Sequence, residues 1–409
     1  MQEHPRYKIR RLSRNFINDI SKDGAKKSMV PGKWLLQSLI VWPDTDSRSV
    51  TIFNWACLIN LMFFELFHTA YVVIHRTEYG NAISAAATVT TTFECLVRFY
   101  IIVFKKPVIN QILFNIWKNF WSLSVVNPRI ARQLTNKCYI TLALTFGCYG
   151  PALVCNSIVT LGAYLTRTGL AFDSEFPFPW NQTYVYETIY FWQYVTAWYI
   201  LILVNSFDFF MIPMVMICAV QFALLQNVFK NMLGEKSKQQ RKILYGEVIS
   251  DREMFLRWVN QQRMLIGICQ QLEEVFRYAI LFQYICSAAA LCSSTVILQV
   301  DKRQFSKMLT FAVAHMFQLF YYCFVGNELT VQSGKLAEAV YACNWYTSND
   351  IKFKKELVLV LQRCQKPLTL TAAGFIDLNF VNYISVLRVC FSFYTLLTKL
   401  LVTKLSRTD

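Results

Sequence analysis

Apolar stretches long enough to cross a bilayer recur seven times along this chain, separated by polar segments. A spanning helix needs about 20 apolar residues to cross roughly 30 Å of hydrocarbon. The pattern predicts spans at about 51–75, 81–104, 138–165, 185–228, 264–299, 304–343 and 375–401. Gly150-Pro151 predicts a kink in the third. The fourth, fifth and sixth are overlong: helices of that length run about 55–65 Å, roughly twice the hydrocarbon thickness. Tilt does not absorb that excess. The excess carries apolar stripes among charges: Leu225, Val228, Phe229 and Met232 on the fourth, and Met264, Ile268, Leu272 and Val275 on the fifth. Such ends either lie on the membrane surface or pack together in the cytosol. Three of them on one side favour a cytosolic bundle that buries the stripes.

Charge assigns the sides. The tail 1–50 holds ten Lys and Arg, segment 105–137 six with no acidic residue, 229–263 eight, and 334–374 six. The alternate loops hold one or two each: Arg76, Arg167, Lys302 with Arg303, and two in 402–409. By the positive-inside rule the rich set is cytoplasmic. The N-terminus is therefore inside and the short C-terminus outside. The sequon Asn181-Gln182-Thr183 falls in an outer loop, which makes Asn181 a candidate glycosylation site.

Composition agrees with a membrane protein. Hydrophobic residues are 55% and charged residues 16%, against about 25% charged in soluble domains. A large soluble helical protein does not account for so many long apolar runs. The net charge of +16 forms no basic domain, so a nucleic-acid partner is not expected. Residues 1–30 are polar and basic without an apolar core, so no cleavable signal peptide is expected. The thirteen cysteines lie in spans or basic loops with no C-x-x-C pair, which reads as soft apolar filler. With four histidines and no ligand spacing, neither a metal nor a cofactor is expected.

Charges within spans demand partners. Glu94 and Arg98 stand at i, i+4, and a lone charge at mid-membrane costs roughly 2.5–3.5 kcal/mol. They form a packing lock or a polar wall of a pocket; the lock is favoured. Glu65, His68 and Asp208 read the same way. Glu273, Glu274 and Arg277 near the inner boundary read as a solvated network. No phosphate-binding, hydrolase or metalloprotease motif occurs, so no enzyme is expected. Asp251-Arg252-Glu253 lies in the wrong loop for a G-protein-coupled receptor, no N-P-x-x-Y closes the seventh span, and the N-terminus faces inward. Isolated breaks at Gly150-Pro151 and Pro213 do not form the paired pattern of many transporters.

Residues 333–397 are the most distinctive. Ser333, Tyr341 and Trp345 are followed by Gln365-Lys366-Pro367-Leu368, by Thr369-Leu370-Thr371-Ala372-Ala373-Gly374, and by Ser392-Phe393-Tyr394-Thr395-Leu396-Leu397. This order resembles the insect odorant receptor family, whose inverted seven-span topology covers the whole chain. The "S-Y-S-Y-F" ending of many members is altered here to Cys390-Phe391-Ser392-Phe393-Tyr394. The gustatory ending is absent. The loop 229–263 is short where the co-receptor usually carries an insertion, so the chain resembles an odorant-specific tuning subunit.

The resemblance implies an all-α membrane protein acting as the odorant-binding subunit of a ligand-gated, non-selective cation channel. It implies a heterotetramer with co-receptor subunits in the plasma membrane of olfactory sensory neurons, with a small volatile odorant and membrane lipids as further partners. It divides the chain into a cytoplasmic tail 1–50, spans one to six with an outer-half pocket over 51–343, an anchor segment 344–374, and a pore helix with short C-terminus over 375–409. A short helix at about 351–366 would join the overlong ends in the anchor. Aligning the terminal motif puts Leu396 at an apolar gate beside Thr395, with Lys399 one turn outward. Helical spacing in the outer half offers pocket candidates: Ala86, Thr90 and Phe93; Gly150, Val154 and Ser157; Tyr190, Tyr194 and Trp198; and Met308, Phe311 and His315. Stripes at this spacing also serve ordinary helix packing. A metabotropic seven-span chemoreceptor and a small-molecule carrier remain the alternatives.

Overall fold

The computed structural model describes residues 24–43, 47–77, 79–166, 169–233, 235–300 and 305–405. Arg167, Lys302, Arg303, Arg407 and the tail before residue 24 lie outside the described residues, as do the charges assigned to them. The chain is a helical bundle: α1 Val30–Ser38, α2 Arg48–Ile74, α3 Tyr79–Phe104, α4 Lys106–Lys118, α5 Pro128–Thr166 and α6 Thr183–Lys230. There follow α7 Glu235–Tyr245, α8 Asp251–Val300, α9 Phe305–Gly334, α10 Leu336–Tyr341, α11 Ile351–Cys364 and α12 Phe380–Leu405. Among the described residues six helices are long and apolar enough to cross a membrane, α2, α3, α5, α6, α8 and α9. Residues Phe380–Leu396 of α12 supply a shorter apolar seventh.

Local chemistry sets the helix ends. The Ser47 hydroxyl accepts from Val50 N at 3.2 Å and caps α2. Asp350 caps α11 by accepting from Phe353 N at 3.1 Å. Pro107 sits in the first turn of α4, where a missing N–H is tolerated, and so starts a helix after Phe104. Three boundaries differ from expectation. The third span begins at Pro128, because the polar turn before Cys138 continues the same helix. The fifth span begins at Asp251, thirteen residues before the expected 264, and Pro151 is carried within the third helix. The sixth span divides after Gly334 into α9 and α10. The amphipathic helices α1 and α4 lie outside the expected spans.

α6 is the central column. Its apolar window is 89% buried, against 17% for α2, so α2 faces lipid and α6 faces protein. α1 lies against it: a Cβ on Gly32 would stand 2.4 Å from the Phe209 carbonyl oxygen, so only glycine permits this approach.

The inner ends of α6 and α8 pack with α11, as the buried-stripe reading anticipates. Phe229 meets Trp258 at 4.4 Å, and Phe255 meets Phe353 at 5.2 Å. Trp258 Nε1 donates to Leu225 O at 3.0 Å. Arg252 grips both oxygens of Glu356, and that hydrogen bonding holds the Glu356 carboxyl below its ordinary range and the guanidinium above its own.

A two-stranded hairpin, β1 Thr371–Ala372 and β2 Ile376–Asp377, precedes α12. Its turn places Ala373 and Gly374 at φ +52° and +83°. Glu273 is no loose member of a solvated network. It accepts from Thr371 N at 2.9 Å and from the Thr371 hydroxyl, and Arg277 O accepts from Ala373 N at 3.2 Å. These bonds latch the hairpin to α8. α12 packs on α8 and α9, and leaves Val381, Val389, Phe391 and Leu396 exposed.

Candidate functional site

A partly open cavity of about 120 Å³ lies between α3, α5, α6 and α9. Phe311 to Gln318 place it roughly 9–20 Å along α9 from its outer end, at 1.5 Å per residue. Ala152, Val159, Ile200, Leu201, Val204 and Phe311 form its apolar wall. Thr91, Thr92, Glu94, Asn156, His315 and Gln318 contribute polar atoms. The threonines are tolerated within the bilayer because their hydroxyls bond the preceding turn: Thr91 to Ala87 O at 3.4 Å, Thr92 to Thr88 O at 3.3 Å.

Below the cavity stands a fully buried polar knot. Arg98 Nη1 donates to Val204 O at 2.7 Å and reaches Asp208 Oδ1 at 2.8 Å. Nη2 pairs with Glu94 and Gln283, and lies 3.2 Å from the Tyr322 hydroxyl. Asp208 accepts from Tyr322 at 2.6 Å, from Gln318 Nε2 at 2.8 Å, and from Tyr321. Four helices thus meet on one ion cluster. The Glu94–Arg98 pair is both a packing lock and, through Glu94 and Gln318, part of the cavity wall.

The roof comes from the outer loop. Phe172 enters the cavity, and Gln193 on α6 holds it: Oε1 accepts from Phe172 N at 3.1 Å and Nε2 donates to Phe172 O at 2.9 Å. Glu175 N donates to Phe67 O at 3.0 Å, and the Glu175 carboxylate lies 3.3 Å from His75 Nε2. Burial in this loop pushes the Asp173 carboxyl up, against the pull of Lys307 and His75.

Of the residues singled out by spacing, Phe311 and His315 line the cavity. The others do not line it. Thr90 bonds Ala87 O at 2.7 Å beside the lining Thr91, and Ala86 is half-buried a turn above. Phe93 points outward and meets Phe282 at 5.1 Å. Gly150 and Val154 are exposed, while Ser157 bonds Leu153 O at 2.8 Å. Tyr190 donates to Thr160 O near the outer end; Tyr194 and Trp198 pack on each other at 6.2 Å; Met308 is buried against its neighbours. Thr88, Asn156, Phe172, Asn205 and Gln318 were missed. Polar residues at helical spacing inside an apolar span are the signal that finds most of them; Phe172, from a loop, has none.

On α12, Leu396 is exposed, Thr395 half-buried and Lys399 exposed. The Cys292 and Cys390 sulfurs stand 3.7 Å apart where α8 meets α12. Asn181 is exposed just before α6. No group of His, Cys, Asp and Glu fit to hold a metal occurs among the described residues.

The fold is similar to that of the insect olfactory receptor OR5 from Machilis hrabei in complex with eugenol: TM-score 0.75, 11% identity, 92% of this chain and 98% of that one. Odorant receptor 2a of Drosophila melanogaster is 29% identical over 175 residues, 42% of each chain. An Odorant receptor coreceptor of Aedes aegypti is 28% identical over 153 residues, 35% of this chain and 30% of that one. The chain thus spans about two-fifths of the length of the curated relatives it matches first. The family described as 7tm Odorant receptor matches residues 78–391, which include every helix around the cavity and the approach to α12. With the seven-helix bundle, this establishes that the chain is a multi-pass membrane protein belonging to the insect odorant receptor family.

Proposed function

We propose that this chain is an odorant-specific subunit of a heteromeric, ligand-gated, non-selective cation channel, assembled with co-receptor subunits in the plasma membrane of olfactory sensory neurons. The observation that carries this reading is the cavity among α3, α5, α6 and α9, together with a last helix that leaves Val381, Val389, Phe391 and Leu396 exposed. A small, mostly apolar molecule fits such a cavity. The exposed faces of α12 suit contact with other subunits around a pore. The matches to odorant receptors and to a co-receptor support both parts.

In this reading the segment 344–374 joins the cytosolic anchor and 375–409 supplies the pore helix. Leu396 forms an apolar constriction that gates by dewetting, beside Thr395. Lys399, one turn outward, repels cations and limits conduction where all subunits carry it. Asn181 carries a glycan outside the cell. Phe311 and His315 are the spacing candidates that touch the odorant.

Co-expression with a co-receptor subunit in a cell lacking both tests the reading. Odorant-evoked cation current that persists with G-protein signalling blocked is expected, and Leu396→Ser should raise basal current or alter ion preference. Currents abolished by that block, with an N-terminal tag accessible from outside, would overturn the reading in favour of a metabotropic receptor.

A further inference from the structure

Three threonine hydroxyls on the cavity wall have committed their protons. Thr88 donates its hydroxyl proton to Ala85 O at 2.8 Å, and Thr91 and Thr92 donate theirs to Ala87 O and Thr88 O. A hydroxyl has one proton, so the Thr91 and Thr92 oxygens present lone pairs, while the Thr88 oxygen already has His68 Nε2 at 3.0 Å. Asn205 directs one amide N–H to Leu201 O at 2.8 Å, and Gln318 directs one of its own to Asp208. Each of these amides keeps a second N–H beside its carbonyl oxygen and is balanced in itself.

Glu94 is an acceptor left short. It is 1% exposed, and its Oε2 has no hydrogen-bond partner. Two carboxylates, Glu94 and Asp208, share a single guanidinium, Arg98. Asp208 is satisfied by Arg98, Gln318 and both tyrosines; Glu94 has the ion pair alone. Buried acceptors of this kind cost free energy until a donor reaches them.

On the opposite side Asn156 Nδ2 is buried without a partner, and it is a donor. His315 stands nearby with its Nδ1 3.4 Å from Ser287 Oγ, which also accepts from Gln283 Nε2 at 2.6 Å. Glu94 thus brings an unmet acceptor to the cavity lining, and Asn156 an unmet donor.

We infer that the cavity selects small apolar molecules carrying an O–H or N–H donor, with Glu94 as the group that reads it. This rests on the reading of the cavity as the odorant site. The apolar wall takes the body of the ligand, and the donor completes the hydrogen bonding that Glu94 lacks. A site built to hydrogen-bond a ligand group rejects the analogue that lacks it, because its own buried polar atoms are then left unpaired.

The test uses the full chain with a co-receptor subunit and matched ligands: 4-methylphenol against 4-methylanisole, indole against 1-methylindole, and 2-phenylethylamine against propylbenzene. The member bearing the donor should activate at a concentration at least about ten-fold lower. Glu94→Gln should shrink that ratio with surface expression retained. A difference confined to the amine pair assigns an ammonium ligand; one in the phenol and indole pairs assigns a neutral donor. Should Glu94→Gln fail to reach the surface, the wild-type ratios decide alone. Equal or greater potency of the donor-less members overturns the inference and leaves the channel reading standing. Absence of current from every member, with no ligand-induced stabilisation of the purified heteromer, overturns both.

Discussion

Gly326 on α9 offers the sharpest perturbation. A Cβ built there would stand 2.3 Å from Leu378 Cβ and 2.6 Å from the Leu378 carbonyl oxygen. Ordinary contact lies at 3.4–4 Å, so Leu378 must retreat by at least about 1 Å. It has little room, being 1% exposed and bound through its N–H to Leu370 O at 2.9 Å. Backbone atoms cannot rotate out of the way as a side chain would. Gly326→Ala should therefore cost about 1–3 kcal/mol as overpacking. The same substitution also gains about 0.4–1 kcal/mol by restricting the unfolded chain. Gly267→Ala on α8 isolates that gain, because nothing lies within 4 Å of its new Cβ. Thermal unfolding of the detergent-solubilised protein should thus show Gly267→Ala at or above wild type and Gly326→Ala below both. Leu378 leads directly into α12, while His315 and Gln318 lie on the same helix as Gly326. Gly326→Ala should then also weaken odorant-evoked current more than it lowers surface expression. A Gly326→Ala protein as stable as Gly267→Ala would show that the contact is not close, and would remove α9 as the rigid link between cavity and last helix.

The remaining perturbations address the knot, the roof and the anchor. Asp208→Asn takes one of the two carboxylates from Arg98 and gives Tyr321 and Tyr322 a poorer acceptor; removing one partner of a buried pair costs about 3–5 kcal/mol, to be read as lost surface expression or a lowered Tm. Gln193→Ala frees the Phe172 backbone at the price of three hydrogen bonds, two to Phe172 and one to Ser174 Oγ, about 1–3 kcal/mol, and should raise the concentration of ligand needed for half activation with expression unchanged. Trp258→Ala empties the contact with Phe229 and leaves Leu225 O without its donor, about 3–5 kcal/mol; subunit assembly, read by native gel, should fail before monomer folding does.

The fold was legible because a bilayer imposes two rules that sequence records directly: span length and the sidedness of Lys and Arg. Those rules place seven helices within a few residues, apart from the starts at Pro128 and Asp251 and the break after Gly334. The buried stripe of Leu225, Val228 and Phe229 was legible for a third reason, since apolar residues among charges in water have one good solution. The cavity obeyed none of these rules. Inside a membrane the lipid-facing and protein-facing sides of a helix are both apolar, so the period that marks a core face in a soluble protein loses its contrast. A helix turns about 100° per residue, and that angle separates Thr90 from the lining Thr91. On α6 the spacing of Tyr190, Tyr194 and Trp198 tracks an aromatic stripe, yet the cavity begins beside its last member at Ala197 and follows small and aliphatic groups inward to Asn205. Bulk marks where helices fill space, whereas a cavity forms where the facing residues are small. The polar residues escape this ambiguity, because a Thr, Asn, Glu or His in hydrocarbon needs a partner and so turns inward. Thr88, Glu94, Asn156, Asn205, His315 and Gln318 all sit on the cavity or its floor. In a bundle of this kind the polar minority marks the site more reliably than the aromatic majority, and its balance of donors and acceptors describes the ligand that the apolar residues leave unspecified.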